Sequence, residues 1–201
     1  VHFGTVISVR GGFAFKSGDY LEDPTGVPLI RQSELRTSKV NITAAKHLPL
    51  GYLDEFSDKY GIQEGDILVG LSGSLSSVSV YQHDRPALQN QRTGLLRVSQ
   101  LISKDYVLCT YLTVIAEIEK AGKGVAVQNV SPKQIEALLV PLSPVAEQER
   151  IIAEVERHTS LIKDAEQTVS ANALRCERLR QSVLKLAFEG KLVDQDVTDE
   201  S

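Results

Sequence analysis

From residue 147 to residue 188 apolar side chains recur every three or four positions, and no Pro or Gly interrupts them. That period is helical, and the stretch is about 42 residues, roughly 63 Å, long. With Val155 as heptad position a, the a positions are Val155, Ile162, Val169, Cys176 and Val183. The d positions are Ile151, His158, Ala165, Asn172, Leu179 and Leu186. Such a seam supercoils against a partner helix. Polar His158 and Asn172 within it fix register at some cost in stability. No other stretch carries a heptad, so the second helix is expected from another chain; the alternative is a surface helix folded back on its own domain. The expected helix–helix core is Val155, Ile162, Val169, Cys176, Leu179, Val183 and Leu186, with Gly190 as the C-terminal cap.

Ahead of this helix the pattern changes to short segments. Residues 2–9 read as a strand turned by Gly11 and Gly12. Residues 27–31 read as an edge strand, because Pro28 cannot donate to a ladder. Residues 38–49 are polar and loop-like, and residues 51–60 form a short helix ended by Gly61. After the turn signal Gly65-Asp66, residues 67–71 are a buried strand. Ser72-Gly73-Ser74 is a tight turn, and Val78, Val80 and Tyr81 mark the next strand. Residues 87–92 are amide-rich and polar, and residues 95–98 are a strand. Ser103 caps a helix with the stripe Val107, Leu108, Tyr111, Leu112, Ile115 and Ile118, ended by Gly122 and Gly124. Residues 125–130 are a strand, Ser131 to Gln134 a capping box with Pro132 at the first helical position, and residues 138–142 a last strand. The fold class is α+β: a small mixed globular domain of short strands and helices, then one long coiled-coil-forming helix. The expected division is 1–145 for the domain, 146–190 for the helix and 191–201 for an acidic tail.

Composition adds limits. With 42% hydrophobic and 24% charged residues the chain is ordinary for a globular protein. It has no apolar run long enough to cross a membrane and no signal peptide, so a cytoplasmic location is expected. Cys109 and Cys176 lie in unrelated segments without a CxxC neighbour, which argues against a disulfide framework or a zinc site. There is no Met, and the sequence reads as one trimmed at its start. The net charge is −4. Residues 1–145 balance 14 basic against 14 acidic side chains, and the deficit lies in the helix and tail. A balanced first domain can still present a basic face.

Known catalytic chemistry is hard to find. His2, His47, His83 and His158 are scattered, without Cys or carboxylate partners at metal-ligand spacing. There is no GxSxG elbow and no phosphate-binding GxxxxGK[ST] loop. Gly11-Gly12-Phe13 lacks the order of a dinucleotide-binding loop. Glu189 and Lys191 form half of a nuclease-like pattern, at a helix end without a strand-borne Asp. No Asn-Pro-Pro-Tyr-type motif is present. The expectation is no catalytic residue and no metal site.

Several stretches together resemble the specificity subunit of type I restriction–modification systems. The strongest is Arg178-Leu-Arg-Gln-Ser-Val-Leu-Lys-Leu-Ala-Phe-Glu-Gly-Lys-Leu-Val193, which is similar to the C-terminal signature of those subunits. Gln128-Asn-Val-Ser-Pro-Lys-Gln-Ile135, Val140-Pro-Leu-Ser-Pro144 and Glu147-Gln-Glu-Arg-Ile-Ile152 resemble the junction between a target-recognition domain and its conserved helix. Gly65-Asp-Ile-Leu68, Ser72-Gly-Ser74 and Ala87-Leu-Gln-Asn-Gln-Arg92 resemble the recognition domain's interior. The likeness covers nearly the whole chain, with one departure. Full subunits carry two recognition domains and two conserved helices, and here there is one of each, as in a half-subunit or the C-terminal half of a longer chain.

The resemblance implies a reader of one half of a bipartite double-stranded DNA site, whose helix spaces the halves and docks modification (methyltransferase) subunits. Two copies would pair antiparallel as a homodimer. No cofactor is expected in this chain; S-adenosylmethionine would be bound by the modification subunits, and ATP and Mg by a restriction (motor-nuclease) subunit where one joins. No membrane partner is expected.

A duplex reader needs phosphate contacts for affinity and base-edge contacts for sequence. Arg suits guanine, and Gln or Asn suits adenine. Three groups of loop residues are candidates: Lys16, Arg31, Arg36 and Lys39; Gln89, Asn90, Gln91 and Arg92; Lys120, Lys123 and Gln128. For each the plainer reading is a solvated surface residue, and for Asn90 and Arg92 a structural brace. On the helix, Arg178, Arg180, Gln181, Lys185 and Phe188 are the expected docking residues for a partner subunit. A second function class is a coiled-coil interaction protein whose α+β head binds a protein or small ligand; salt dependence of DNA binding separates the two. A third, a stand-alone nuclease, rests on Glu189 and Lys191 alone.

Overall fold

The computed structural model describes residues 1–35, 38–73, 75–100, 102–121 and 129–193, with the backbone alone for residues 117–121. The chain divides into two compact units, Val1–Arg150 and Ile151–Ser201. The architecture is α+β, with two sheets and one long C-terminal helix.

The first unit holds two four-stranded sheets. One is antiparallel, in the order β1 (Ile7–Gly11), β8 (Thr93–Val98), β5 (Ile67–Gly70), β6 (Val78–Val80). The other is mixed, in the order β3 (Lys46–Leu48), β2 (Val27–Ile30), β7 (Ala87–Gln89), β4 (Gly61–Ile62). Its β2 and β7 run parallel. Ile30 and Ala87 of the mixed sheet share a buried cluster with Leu68 and Leu95 of the antiparallel one. One core therefore ties the sheets together, as two apolar faces require.

Pro28 does not mark an edge: β2 is an inner strand, flanked by β3 and β7. The backbone explains this. Pro28 faces His47, whose N–H and carbonyl both bond Leu21, at 3.3 and 2.8 Å. On the other side the parallel ladder to β7 begins only at Leu29. No ladder bond is asked of the missing N–H.

Other expectations for 2–9, 38–49, 87–92 and 138–142 are also corrected. Residues Phe3–Thr5 are a single 3₁₀ turn before β1. Lys46–Leu48, within the expected loop, is β3. Ala87–Gln89, within the polar stretch, is a fully buried strand. Leu139 makes only a bridge to His2, not a strand.

The helix α1 (Gly51–Tyr60) ends at Gly61, as its sequence predicts. Its Tyr52, Phe56 and Tyr60 pack with Phe13 and Phe15, with ring centroids 5.0 Å apart for Phe13 and Phe56. The Ser103 hydroxyl accepts from the N–H groups of Asp105 and Tyr106 at the start of α2 (Lys104–Ala121). The capping box at Ser131 opens α3 (Pro132–Glu136), with Pro132 in its first turn. The expected terminators Gly122 and Gly124, and residues 125–128 of the expected strand, lie outside the described residues; Asn129 bridges Ser72.

The helix α4 (Val145–Phe188) has 44 residues. It ends in a Schellman arrangement: Lys191 N–H bonds the Leu186 carbonyl at 2.8 Å, and Gly190 N–H bonds that of Ala187 at 3.1 Å. Gly190 takes φ +67°, which an L side chain resists. From residue 194 on, the acidic tail lies outside the described residues.

Candidate nucleic-acid interface and helix seam

The link between β7 and β8 is a tight turn through Gln91 and Arg92. The Asn90 carbonyl accepts from Thr93 N–H at 3.0 Å and from the Thr93 hydroxyl at 2.8 Å. Neighbouring backbone locks this turn from two directions: Asn90 N–H bonds Ile30 O at 3.0 Å, and Gln91 N–H bonds Phe13 O at 2.9 Å. Gly12 makes the second approach possible, since a Cβ there would stand 2.1 Å from the Asn90 carbonyl oxygen.

Inside the turn Gln89 is fully buried. Its amide nitrogen donates to the Thr93 carbonyl at 2.7 Å and the Arg10 carbonyl at 2.9 Å. Gln89 is thus placed as a brace and not at the surface where a base edge could reach it: its NH2 is spent on the fold and its Oε1 is buried without a hydrogen-bond partner. Asn90 is also buried, and its side-chain oxygen accepts from Arg92 N–H at 3.4 Å. What remains outside are the side chains of Gln91 and Arg92, both exposed. Among the described residues neither side chain has a hydrogen-bond partner.

These two side chains line a shallow polar cleft of about 390 Å³ with Tyr20, Arg31, Gln32, Ser33 and Asn90. The structure so joins Arg31 of the first candidate group with Gln91 and Arg92 of the second. Arg31 is half committed: its guanidinium donates to the buried Glu34 carboxylate at 2.9 and 3.3 Å. Its backbone N–H bonds the same carboxylate at 2.8 Å. Ser33 also donates to Glu34, at 2.8 Å. Gln32 is tied to the neighbouring turn, accepting from the Ser72 hydroxyl at 2.7 Å and donating to the Ser72 carbonyl. One wall is therefore held by paired groups, while the tip of the turn is open.

Lys16 is exposed before the 3₁₀ turn Ser17–Asp19 and does not line this cleft. Lys39 lines a different cleft, of about 570 Å³, with Leu108, Leu112 and the serine-rich segment before β6. Arg36, Lys123 and Gln128 lie outside the described residues, as does the Lys120 side chain. Sequence reasoning missed Tyr20, Gln32 and Ser33. Gln32 and Ser33 follow Arg31 directly and are of the residue types that read DNA; for Tyr20 no sequence signal pointed to the cleft.

Elsewhere in this unit the polar groups serve the fold. The Arg85 guanidinium donates to the carbonyls of Pro24 and Thr25, at 2.7 and 2.6 Å, and of Gly26. Burial pushes the Tyr81 hydroxyl up to about 12, and it donates to Arg85 O at 2.6 Å. Burial, with Arg85 nearby, holds the His47 imidazole below its ordinary value, against the opposing pull of Asp23. No group of three or more His, Cys, Asp or Glu among the described residues is placed to hold a metal. No helix among them is long and apolar enough to cross a membrane.

On α4 the seam is uncovered. Ile162 is 60% and Val169 68% exposed, and Val155, Cys176, Leu179, Val183 and Leu186 are exposed too. Of the expected docking residues, Phe188 is 91% exposed, and Arg178 and Gln181 are exposed as well. Arg180 pairs with Glu177 at 3.4 Å, and Lys185 with Glu189 at 3.7 Å. Glu189 also takes Lys191 at 2.9 Å, so this acid and base face each other. Beside the seam, Arg157 holds the Glu154 carboxyl below the usual carboxylate range.

The family model for the type I restriction modification DNA specificity domain matches residues 2–171. The specificity subunit of the type I restriction enzyme EcoBI of Escherichia coli is 25% identical over 197 residues, covering 98% of this chain and 40% of that protein. That of EcoAI, also from Escherichia coli, is 27% identical over 181 residues, covering 82% and 30%. The HsdS subunit from Thermoanaerobacter tengcongensis superposes with a TM-score of 0.71 at 18% identity, over 96% of this chain and 45% of the other. A chain from an assembled type I R-M system gives 0.74 at 18% identity, over 96% and 46%. The chain spans less than half the length of each of these proteins.

Proposed function

Since the chain belongs to the family of type I restriction modification DNA specificity domains, we propose that it reads one half of a bipartite DNA site for an adenine methyltransferase. The observation that carries this reading is the locked turn whose tip offers Gln91 and Arg92 beside Arg31. An amide that can pair with adenine and a guanidinium that can pair with guanine stand on a backbone held from two sides. Preorganisation of this kind reads sequence without first ordering a loop.

The chain itself is non-catalytic in this reading. S-adenosylmethionine and the methyl transfer belong to modification subunits, and ATP and Mg to a restriction subunit where one is present. The long helix α4 is the scaffold: its seam meets the helix of a second copy, antiparallel, and the signature end around Phe188 docks a modification subunit. Two copies then supply the two recognition domains that a bipartite site calls for.

The test is binding of fluorescent duplex to the chain with its modification subunit, at several salt concentrations. The reading predicts a site-specific complex whose affinity falls steeply with salt. Equal binding to every duplex, or salt-insensitive binding, contradicts it. Methyl transfer by the purified chain without a modification subunit would overturn the non-catalytic part.

A further inference from the structure

Arg31 stands just before the 3₁₀ turn Gln32–Glu34. Its side chain is 32% exposed, and that of Glu34 only 3%. A carboxylate buried this far has to be paired and hydrogen-bonded, and that of Glu34 accepts four hydrogen bonds. Its Oε2 takes Arg31 N–H at 2.8 Å and Arg31 Nε at 3.3 Å. Its Oε1 takes Arg31 Nη2 at 2.9 Å and the Ser33 hydroxyl at 2.8 Å. The Glu34 carbonyl accepts from Asn41 N–H at 3.0 Å, which anchors the turn. The carboxylate therefore occupies the Nε–Nη2 side of the guanidinium bidentately and fixes its plane. The outer Nη1–Nη2 edge is left over, and among the described residues no acceptor meets Nη1. That edge belongs to a residue lining the cleft with Gln91 and Arg92.

Resting on the reading that this cleft meets duplex DNA, we infer that Arg31 reads a guanine through its Nη1–Nη2 edge. Glu34 is the positioning residue that makes it a base reader and not a phosphate contact. Arg31 and Glu34 together carry no net charge, so the pair releases few counterions at a phosphate, and counterion release is what drives phosphate contacts. Reading O6 and N7 of a guanine requires two N–H donors side by side in one plane, and the free edge of Arg31 supplies them. A guanidinium already held in its plane also loses less conformational freedom on binding. A Lys in this place has no plane to fix and shares its one ammonium with the carboxylate, so it lacks the second, outward edge.

The experiment selects duplexes from a randomised library with the chain bound to its modification subunit, then titrates the selected duplex and its single-base variants at several salt concentrations. The unsubstituted chain is expected to select a guanine at one position of the half-site. Arg31→Lys is expected to lower the preference for that guanine by roughly 10- to 100-fold, with the other positions retained and the salt slope unchanged. Glu34→Gln leaves the Arg31 charge uncompensated: the guanine preference should weaken, and the slope of log affinity against log salt should steepen by about one. Should Glu34→Gln lower the urea midpoint, Arg31→Lys reports on the same guanine without a change to a buried group. A half-site without a guanine, full retention of its preference in Arg31→Lys, or an equal loss on every sequence overturns the inference. So does Glu34→Gln with preference and slope both unchanged. A chain with no base preference at all would instead overturn the reading on which the inference rests.

Discussion

In the Val1–Arg150 unit Gln89 and Glu34 are buried polar side chains with bonded partners, whereas on α4 Val169 and Phe188 are apolar side chains standing 68% and 91% exposed. The first unit closes its core and spends amides, carboxylates and guanidiniums on holding loops. Its function is left to the few polar groups that the fold does not consume. The helix does the reverse: it carries i,i+3 and i,i+4 ion pairs, and the apolar residues of its stripe are exposed. A buried polar residue in the head is therefore a support, whereas the exposed apolar residues on α4 are the ones we propose as an interface.

That contrast breaks most sharply at Val169. Val169→Asp puts a carboxylate into the proposed helix pair, and burying an unpaired charge is strongly unfavourable. We expect the dimer to weaken by at least about 100-fold, about 2.7 kcal/mol, in sedimentation, with the head's unfolding transition unchanged. Next comes Gln89→Ala. It removes the amide that donates to the Thr93 and Arg10 carbonyls, and the Thr93 carbonyl keeps only Gly12 N–H at 3.2 Å, so the head should lose roughly 1–3 kcal/mol in urea unfolding, while the oligomer persists.

Arg92→Ala tests the opposite face of the same turn. Stability should stay within about 0.5 kcal/mol. Site-specific affinity should fall by about 1–3 kcal/mol if the guanidinium reads a base. A uniform loss over all sequences, with the salt slope reduced by about one, would make it a phosphate contact instead. The smallest effect concerns His47. Its folded-state pKa lies below the ordinary value, so the folded protein binds fewer protons than the unfolded chain. Its contribution is complete above about pH 6.5 and fades as pH falls toward the lowered value. His47→Gln should flatten the decline in Tm over that interval.

Much of this was legible in the sequence because the signals were local. The Ser131 capping box, Gly61 after α1, the Gly190 terminator and the uninterrupted period of α4 each depend on neighbours along the chain, and each is found where expected. The inner position of β2 was not legible. It depends on where His47 sends its backbone bonds, to Leu21 rather than to Pro28, and no pattern within residues 27–31 records that. The split of Gln89-Asn90-Gln91-Arg92 into two inward and two outward residues was hidden for the same reason. It is set by β2, by the close approach at Gly12 and by the register of β8. Composition marked the stretch as a candidate, and tertiary structure chose which half of it faces out.

The central claim is that two such heads, joined through α4, read two halves of one site. Its most direct test is a map of methylated adenines in DNA from cells producing this chain and a cognate modification subunit, with no other specificity subunit present. The account predicts a bipartite recognition sequence whose two halves are inverted copies of each other, and its loss in Val169→Asp. Methylation at an asymmetric or undivided sequence, or methylation unchanged in Val169→Asp, would contradict it.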